Sequence, residues 1–137
     1  MSTDETLEIK KLQRNLSSLR KLAGWTAEEL GKKVGVTKQT VSNLENKRTS
    51  MSKIQYIAIR TILDYEAKSN ENLARALHLV LDDKDSTADE HIANEEKVKT
   101  AAAATAAGVS STALVTILGA ASIVLGAWLA AIMDDTD

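Results

Sequence analysis

The sequence predicts an all-α fold, and three observations carry that expectation. The 137-residue chain has no proline and only six glycines. Apolar residues recur at three- and four-residue spacing over most of its first eighty positions, and the strict alternation of a half-buried strand is hard to find. A chain of this size has room for one small domain and an appendage.

The first helix is expected from about Leu7 to Ala23, with Ile9, Leu12, Leu16, Leu19 and Leu22 on its core stripe and Gly24 just past its end. "WTAEEL" then restarts the chain. Thr26 caps a second helix, Glu29 completes a Thr-x-x-Glu capping box, and Trp25 is placed to staple onto Leu30. Val34 and Gly35 end that helix, the glycine supplying a left-handed turn. After Val36, Thr37 caps a short third helix with Val41 and Leu44 facing inward. Its other side presents Lys38, Gln39, Thr40, Ser42, Asn43 and Lys47.

Beyond the loop "KRTSMS", Ser52 caps a fourth helix expected to close the core with Ile54, Ile57, Ala58, Ile62 and Leu63. "SNENLARALHLVLDD" gives a fifth, capped near Asn70, with Leu73, Leu77, Val80 and Leu81 on one stripe. From Asp82 the composition turns acidic and small, which reads as a linker over 82–99. Thr87-x-x-Glu90 and Ser86-x-x-Asp89 are possible capping boxes there, so the linker itself is expected to be helical.

No charged residue lies between Thr100 and Met133. A bilayer core needs about 20 predominantly apolar residues, so residues 100–133 are expected to form a single C-terminal transmembrane helix. The apolar side chains from Val109 to Met133 fall around the whole circumference, as lipid requires and a one-sided interface does not. Lys97 and Lys99 precede the span while "DDTD" (134–137) follows it, which places the amino-terminal domain on the cytoplasmic side and the protein in the cell membrane, single-pass. Gly108, Thr112, Gly119, Ser122, Gly126 and Ala130 form a row of small residues suited to close helix pairing in lipid. A soluble, apolar tail that drives assembly is the competing reading.

Charge is unevenly distributed behind a net −2: residues 1–68 hold 13 Lys+Arg against 8 Asp+Glu, whereas 69–99 hold 4 against 8. A basic head suits a polyanion. The absence of cysteine excludes disulfides and thiolate metal sites, and two histidines far apart in sequence, His78 and His91, make no catalytic or metal constellation. No enzyme, cofactor or metal is expected.

Two short helices joined by a glycine-containing turn, the second carrying amides and cations outward, is the arrangement that places a helix in a major groove. The stretch "LRKLAGWTAEELGKKVGVTKQTVSNLENKR" resembles the Cro/repressor, or XRE, helix-turn-helix family, and the likeness runs from about Leu7 to Glu66. It implies a five-helix helix-turn-helix DNA-binding domain over residues 1–81. The resemblance also assigns roles. Arg20 and Glu45 fall where the family has an ion pair between the first helix and the recognition helix. Lys38, Gln39, Thr40 and Asn43 fall where it meets base edges, and Thr26, Thr37, Ser42, Lys47 and Arg48 where it holds phosphates. Three positions depart from the family pattern: Ala27 where a phosphate-binding glutamine is common, Gly31 where alanine usually packs the turn, and Lys47 where glycine often follows the recognition helix. Those departures imply weaker DNA binding than is usual.

The expectation is therefore a membrane-anchored, sequence-specific transcriptional regulator that meets double-stranded DNA as a homodimer, with half-sites about 34 Å apart. Only four residues follow the span, so a sensor beyond the bilayer would be a separate membrane-protein signalling partner. The rival is a membrane-anchored adaptor that uses the same fold to bind protein, its polar helix face serving as a protein-docking or simply solvated surface.

Overall fold

Helix α1 (Thr3–Ala23) is the post around which the chain is built, and it begins one turn earlier than its leucine stripe requires. Asp4 and Glu5 lie in its first turn and Arg20 and Lys21 in its last, each favourable to the helix dipole. The structure, a computed structural model, describes residues 3–82, 87–108 and 117–118. Ile9, Leu12, Leu16, Leu19 and Leu22 are all buried, and α1 contacts the helices Lys38–Glu45, Lys53–Ala67, Glu71–Leu77 and Ala88–Ala106.

Local chemistry sets the next boundaries. Thr26 opens α2 (Ala27–Val34): its side chain accepts from Glu29 N at 3.0 Å while Thr26 N donates to Glu29 Oε1 at 3.1 Å. Gly35, at φ 79°, caps the helix in the left-handed region that favours glycine. Thr37 opens α3 (Lys38–Glu45) by accepting from Thr40 N at 3.0 Å. Trp25, Leu30, Val41 and Leu44 join the α1 stripe in the core.

The turn between α2 and α3 is tighter than an alanine allows. A Cβ on Gly31 would stand 2.6 Å from the Val36 carbonyl oxygen, because Val36 N folds back to donate to Gly31 O at 2.8 Å. Gly31→Ala is therefore expected to destabilise the domain by about 1–3 kcal/mol through overpacking, despite a helix-propensity gain of about 1 kcal/mol. An equal or higher melting temperature for the alanine variant would show that the turn has room.

Ser52 and Gln55 form a reciprocal capping box at the start of α4 (Lys53–Ala67). The buried stripe of this helix is Ile59 and Leu63, with Tyr56 and Ile62 half-buried against it. Ile54 and Ile57, expected in the core, are instead 80% and 52% exposed. Arg60 binds both Asp64 and Asp82, at 3.0 and 2.9 Å, and so ties α4 to the end of the next element. Burial alone would lower the pKa of its guanidinium, but the hydrogen bonds it donates to the two carboxylates, with their charge, outweigh that and hold it above its ordinary value.

Asn70 caps α5 (Glu71–Leu77), and its Nδ2 donates to Leu22 O at 3.0 Å, fixing α5 to the end of α1. A π-helical turn, His78–Asp82, continues it. Leu73, Leu77, Val80 and Leu81 are buried across both.

Over residues 88–99 the segment expected as a helical linker is helical, and it also packs on the domain. Helix α6 (Ala88–Ala106) starts at a Thr87/Glu90 capping box and packs along α1 and the π turn, with Asn94, Val98, Ala101 and Ala102 buried. Arg14 on α1 binds Glu95 at 2.7 Å, and Asn94 Nδ2 donates to Leu79 O at 3.3 Å. The expected start of the transmembrane helix at Thr100 is likewise corrected: 100–106 are the last turns of α6, packed on the domain. Gly108, at φ 84°, follows the end of that helix. Among the described residues no helix is long and apolar enough to cross a membrane. Most of the expected 100–133 span, the small-residue row from Thr112 to Ala130 and the acidic 134–137 tail lie outside the described residues. Ile117 and Leu118, which are described, are buried with the core cluster.

Candidate nucleic-acid interface

Helix α3 is mounted rigidly. On one side Arg20 Nε donates to Glu45 Oε2 at 2.6 Å and Arg20 Nη2 to Glu45 Oε1 at 3.0 Å, a bidentate pair. Arg20 Nη1 also reaches the Trp25 carbonyl at 2.9 Å, so one guanidinium joins α1, the turn before α2 and the end of α3. On the other side stands a clasp that sequence reasoning missed. Gln13 Nε2 donates to Leu44 O at 3.0 Å and Thr49 O at 2.7 Å, while its Oε1 accepts from Met51 N at 3.0 Å. Those contacts join α1 to the α3–α4 turn across 31 or more residues, so no local pattern could announce them.

With Val41 and Leu44 buried, the outer face of α3 is set by helical period. Lys38 and Gln39 are exposed and Asn43 is half-exposed. Gln39 Nε2 donates to Asn43 Oδ1 at 2.9 Å, which couples the two amides. That bond does not use Gln39 Oε1 or Asn43 Nδ2, so the pair keeps one further acceptor and one further donor. Thr40, expected at bases, is half-buried with its hydroxyl 3.0 Å from Thr37 Oγ1, and the Ser42 hydroxyl accepts from Asn46 Nδ2 at 3.3 Å. These hydroxyls are therefore engaged within the helix, whereas Lys38 and Gln39 are open. Thr26 lies exposed at the start of α2, its hydroxyl committed to the cap.

The end of α3 is unusual. Lys47 N donates to Leu44 O and Arg48 N to Asn43 O, at 3.2 and 2.9 Å, the pattern of a Schellman cap. The residue at its left-handed position is Lys47, φ 58°, where glycine would be less strained. Lys47 and Arg48 both project into solvent. Among the described residues two groups have shifted acid–base behaviour: Arg60, described above, and Tyr56, whose phenol is raised by burial and then by nearby Glu8. Both lie on α4 and neither on α3. No group of histidine, cysteine or carboxylate side chains among the described residues could hold a metal ion.

Residues 16–67 match the family model described as Helix-turn-helix, under half of the chain. The match supports an XRE-type helix-turn-helix DNA-binding domain there, a DNA-binding regulator fold and not an enzyme family. It spans the Arg20–Glu45 clip, the α2–α3 turn and the whole of α3. No curated protein and no solved structure matches the chain.

Proposed function

We propose that the protein is a sequence-specific DNA-binding transcriptional regulator that lays α3 in the major groove. The observation that supports it most is the Gln39–Asn43 pair. The acceptor and donor that remain on Gln39 and Asn43 are of the kind that complements adenine, whose major-groove edge offers the N6 amino donor and the N7 acceptor. Lys38 adds a cation beside the pair, while Lys47 and Arg48 flank the helix where backbone phosphates would pass. A protein-binding adaptor has no need of that donor–acceptor pair.

Two kinds of variant should fail differently. Gln39→Ala is expected to lose about 1–3 kcal/mol on a duplex selected from a random pool and little on a mixed-sequence duplex, because only a base contact disappears. Lys47→Gly suits the backbone at φ 58° and should weaken both duplexes, lowering the slope of log affinity against log salt by about 0.9. Equal weak binding to both duplexes, untouched by Gln39→Ala, would favour the adaptor. Binding as a homodimer to paired half-sites belongs to the same reading, and duplexes with half-sites about 34 Å apart test it.

Membrane attachment is proposed for residues 109–133, on the strength of their uncharged sequence and of Lys97 and Lys99 before them. At about 1.5 Å per residue that stretch reaches roughly 37 Å, enough for a hydrocarbon core of about 30 Å. The orientation leaves the domain in the cytoplasm, where DNA is. The burial of Ile117 and Leu118 in the domain core favours a second reading, in which the tail folds onto its own domain. Fractionation separates the two: an anchored protein is expected to stay with membranes through alkaline washing, and recovery in the soluble fraction would end the anchor.

A further inference from the structure

Beside the carboxyl end of α3 lies a cleft of about 250 Å³ lined by Lys10, Gln13, Arg14, Lys47, Thr49 and Ser50. We propose that it seats a DNA backbone phosphate, with Lys10 and Arg14 of α1 as contacts additional to those of α3. The inference rests on the DNA-binding reading and extends its footprint to a part of α1 that lies outside the 16–67 match.

Three features of the cleft point to a phosphate. Its lining brings three cations and two hydroxyls together with no carboxylate, and at about 30 Å³ per water it has room for a phosphate and part of its hydration shell. The Gln13 clasp holds the adjoining turn of α1 against the Thr49 and Met51 backbone, so Lys10 and Arg14, three residues before and one after, are presented beside Lys47 by a fixed frame. Lys47 itself keeps a left-handed backbone that glycine would adopt with less strain, which is expected of a side chain retained for what it touches.

Arg14 is not fully available. Its Nε and Nη2 both donate to Glu95 Oε1, at 2.9 and 2.7 Å, and the arginine is 45% exposed against 18% for the carboxylate. Glu95 on α6 therefore competes with a phosphate for the guanidinium. DNA seated in the cleft draws Arg14 away from that carboxylate or shares it, and the Glu95 charge weakens the attraction in either case.

The test is a salt titration of the full-length protein in non-ionic detergent, on a selected duplex and a mixed-sequence duplex, with folding followed by circular dichroism. Lys10→Ala and Arg14→Ala are each expected to weaken both duplexes alike and to lower the salt slope by about 0.9, as loss of one phosphate contact does. Glu95→Gln should do the opposite, tightening both duplexes several-fold, which a merely structural ion pair would not do. If wild-type protein binds with a sequence preference while Lys10→Ala and Arg14→Ala leave slope and affinity unchanged, the seat is overturned and the DNA reading stands. If wild-type protein binds neither duplex, the DNA reading falls and the seat with it.

Discussion

Glu45→Ala is expected to lower stability by roughly 3 kcal/mol, the low end of the range for breaking a buried pair. Arg20 and Glu45 retain 13% and 12% of their side-chain exposure, so water reaches the pair only slightly. Removing the carboxylate strands a guanidinium whose remaining partner is the Trp25 carbonyl, and a desolvated charge with one hydrogen bond is costly. For a domain of this size the loss corresponds to a fall in melting temperature of roughly 10–20 °C. Replacing both members, Arg20→Met with Glu45→Leu, should recover much of it, because the desolvation cost disappears along with the attraction. An unchanged melting temperature for Glu45→Ala would show that the clip contributes nothing. The double variant carries a further expectation: α3 loses its bidentate tether, so DNA affinity should stay reduced even where stability returns.

What the sequence made legible divides by the range of the interaction. Thr26, Thr37, Ser52, Asn70 and Thr87 each cap a helix by bonding a backbone amide three residues ahead, so these starts are written locally. The α1 stripe was equally plain, because Leu12, Leu16, Leu19 and Leu22 repeat at helical spacing on one face. Helix α4 was read in part, Leu63 correctly and Ile54 and Ile57 not, because isoleucines surround it: Ile54 and Ile57 fit a helical stripe as well as Ile59 does, and only the position of α1 chooses between them. The two members of the Arg20–Glu45 clip were legible by resemblance. Gln13 gave no signal, since an amide on an ordinary helix becomes a clasp only when the α3–α4 turn arrives beside it. The packing of α6 on the domain was hidden for a different reason. Its buried positions 94, 98, 101 and 102 do follow helical period, but an asparagine and two alanines carry little apolar weight beside Glu90, Glu95, Glu96, Lys97 and Lys99. Small side chains are also what lets α6 lie close along α1.

That packing leads to the second large effect: Val98→Asp is expected to cost at least about 4 kcal/mol, and to unfold the domain if its stability is ordinary. Val98 has no exposed surface and sits between Asn94 and Ala101 on the face of α6 that meets α1. A carboxylate placed there must either stay charged in an apolar contact or bind a proton at neutral pH, and both cost several kcal/mol unless a partner is supplied. Ile92→Asp provides the control on the same helix. Its side chain is 62% exposed, so the same change of chemistry should move stability by less than about 0.5 kcal/mol. A linker would predict that both substitutions are silent, whereas a helix that belongs to the core predicts a wide gap between them. Chemical denaturation of the two variants beside the wild type measures that gap, and equal midpoints would detach α6 from the domain. If the gap is found, Glu95 is held at Arg14 by the fold, and the acidic helix is a fixed neighbour of the basic cleft.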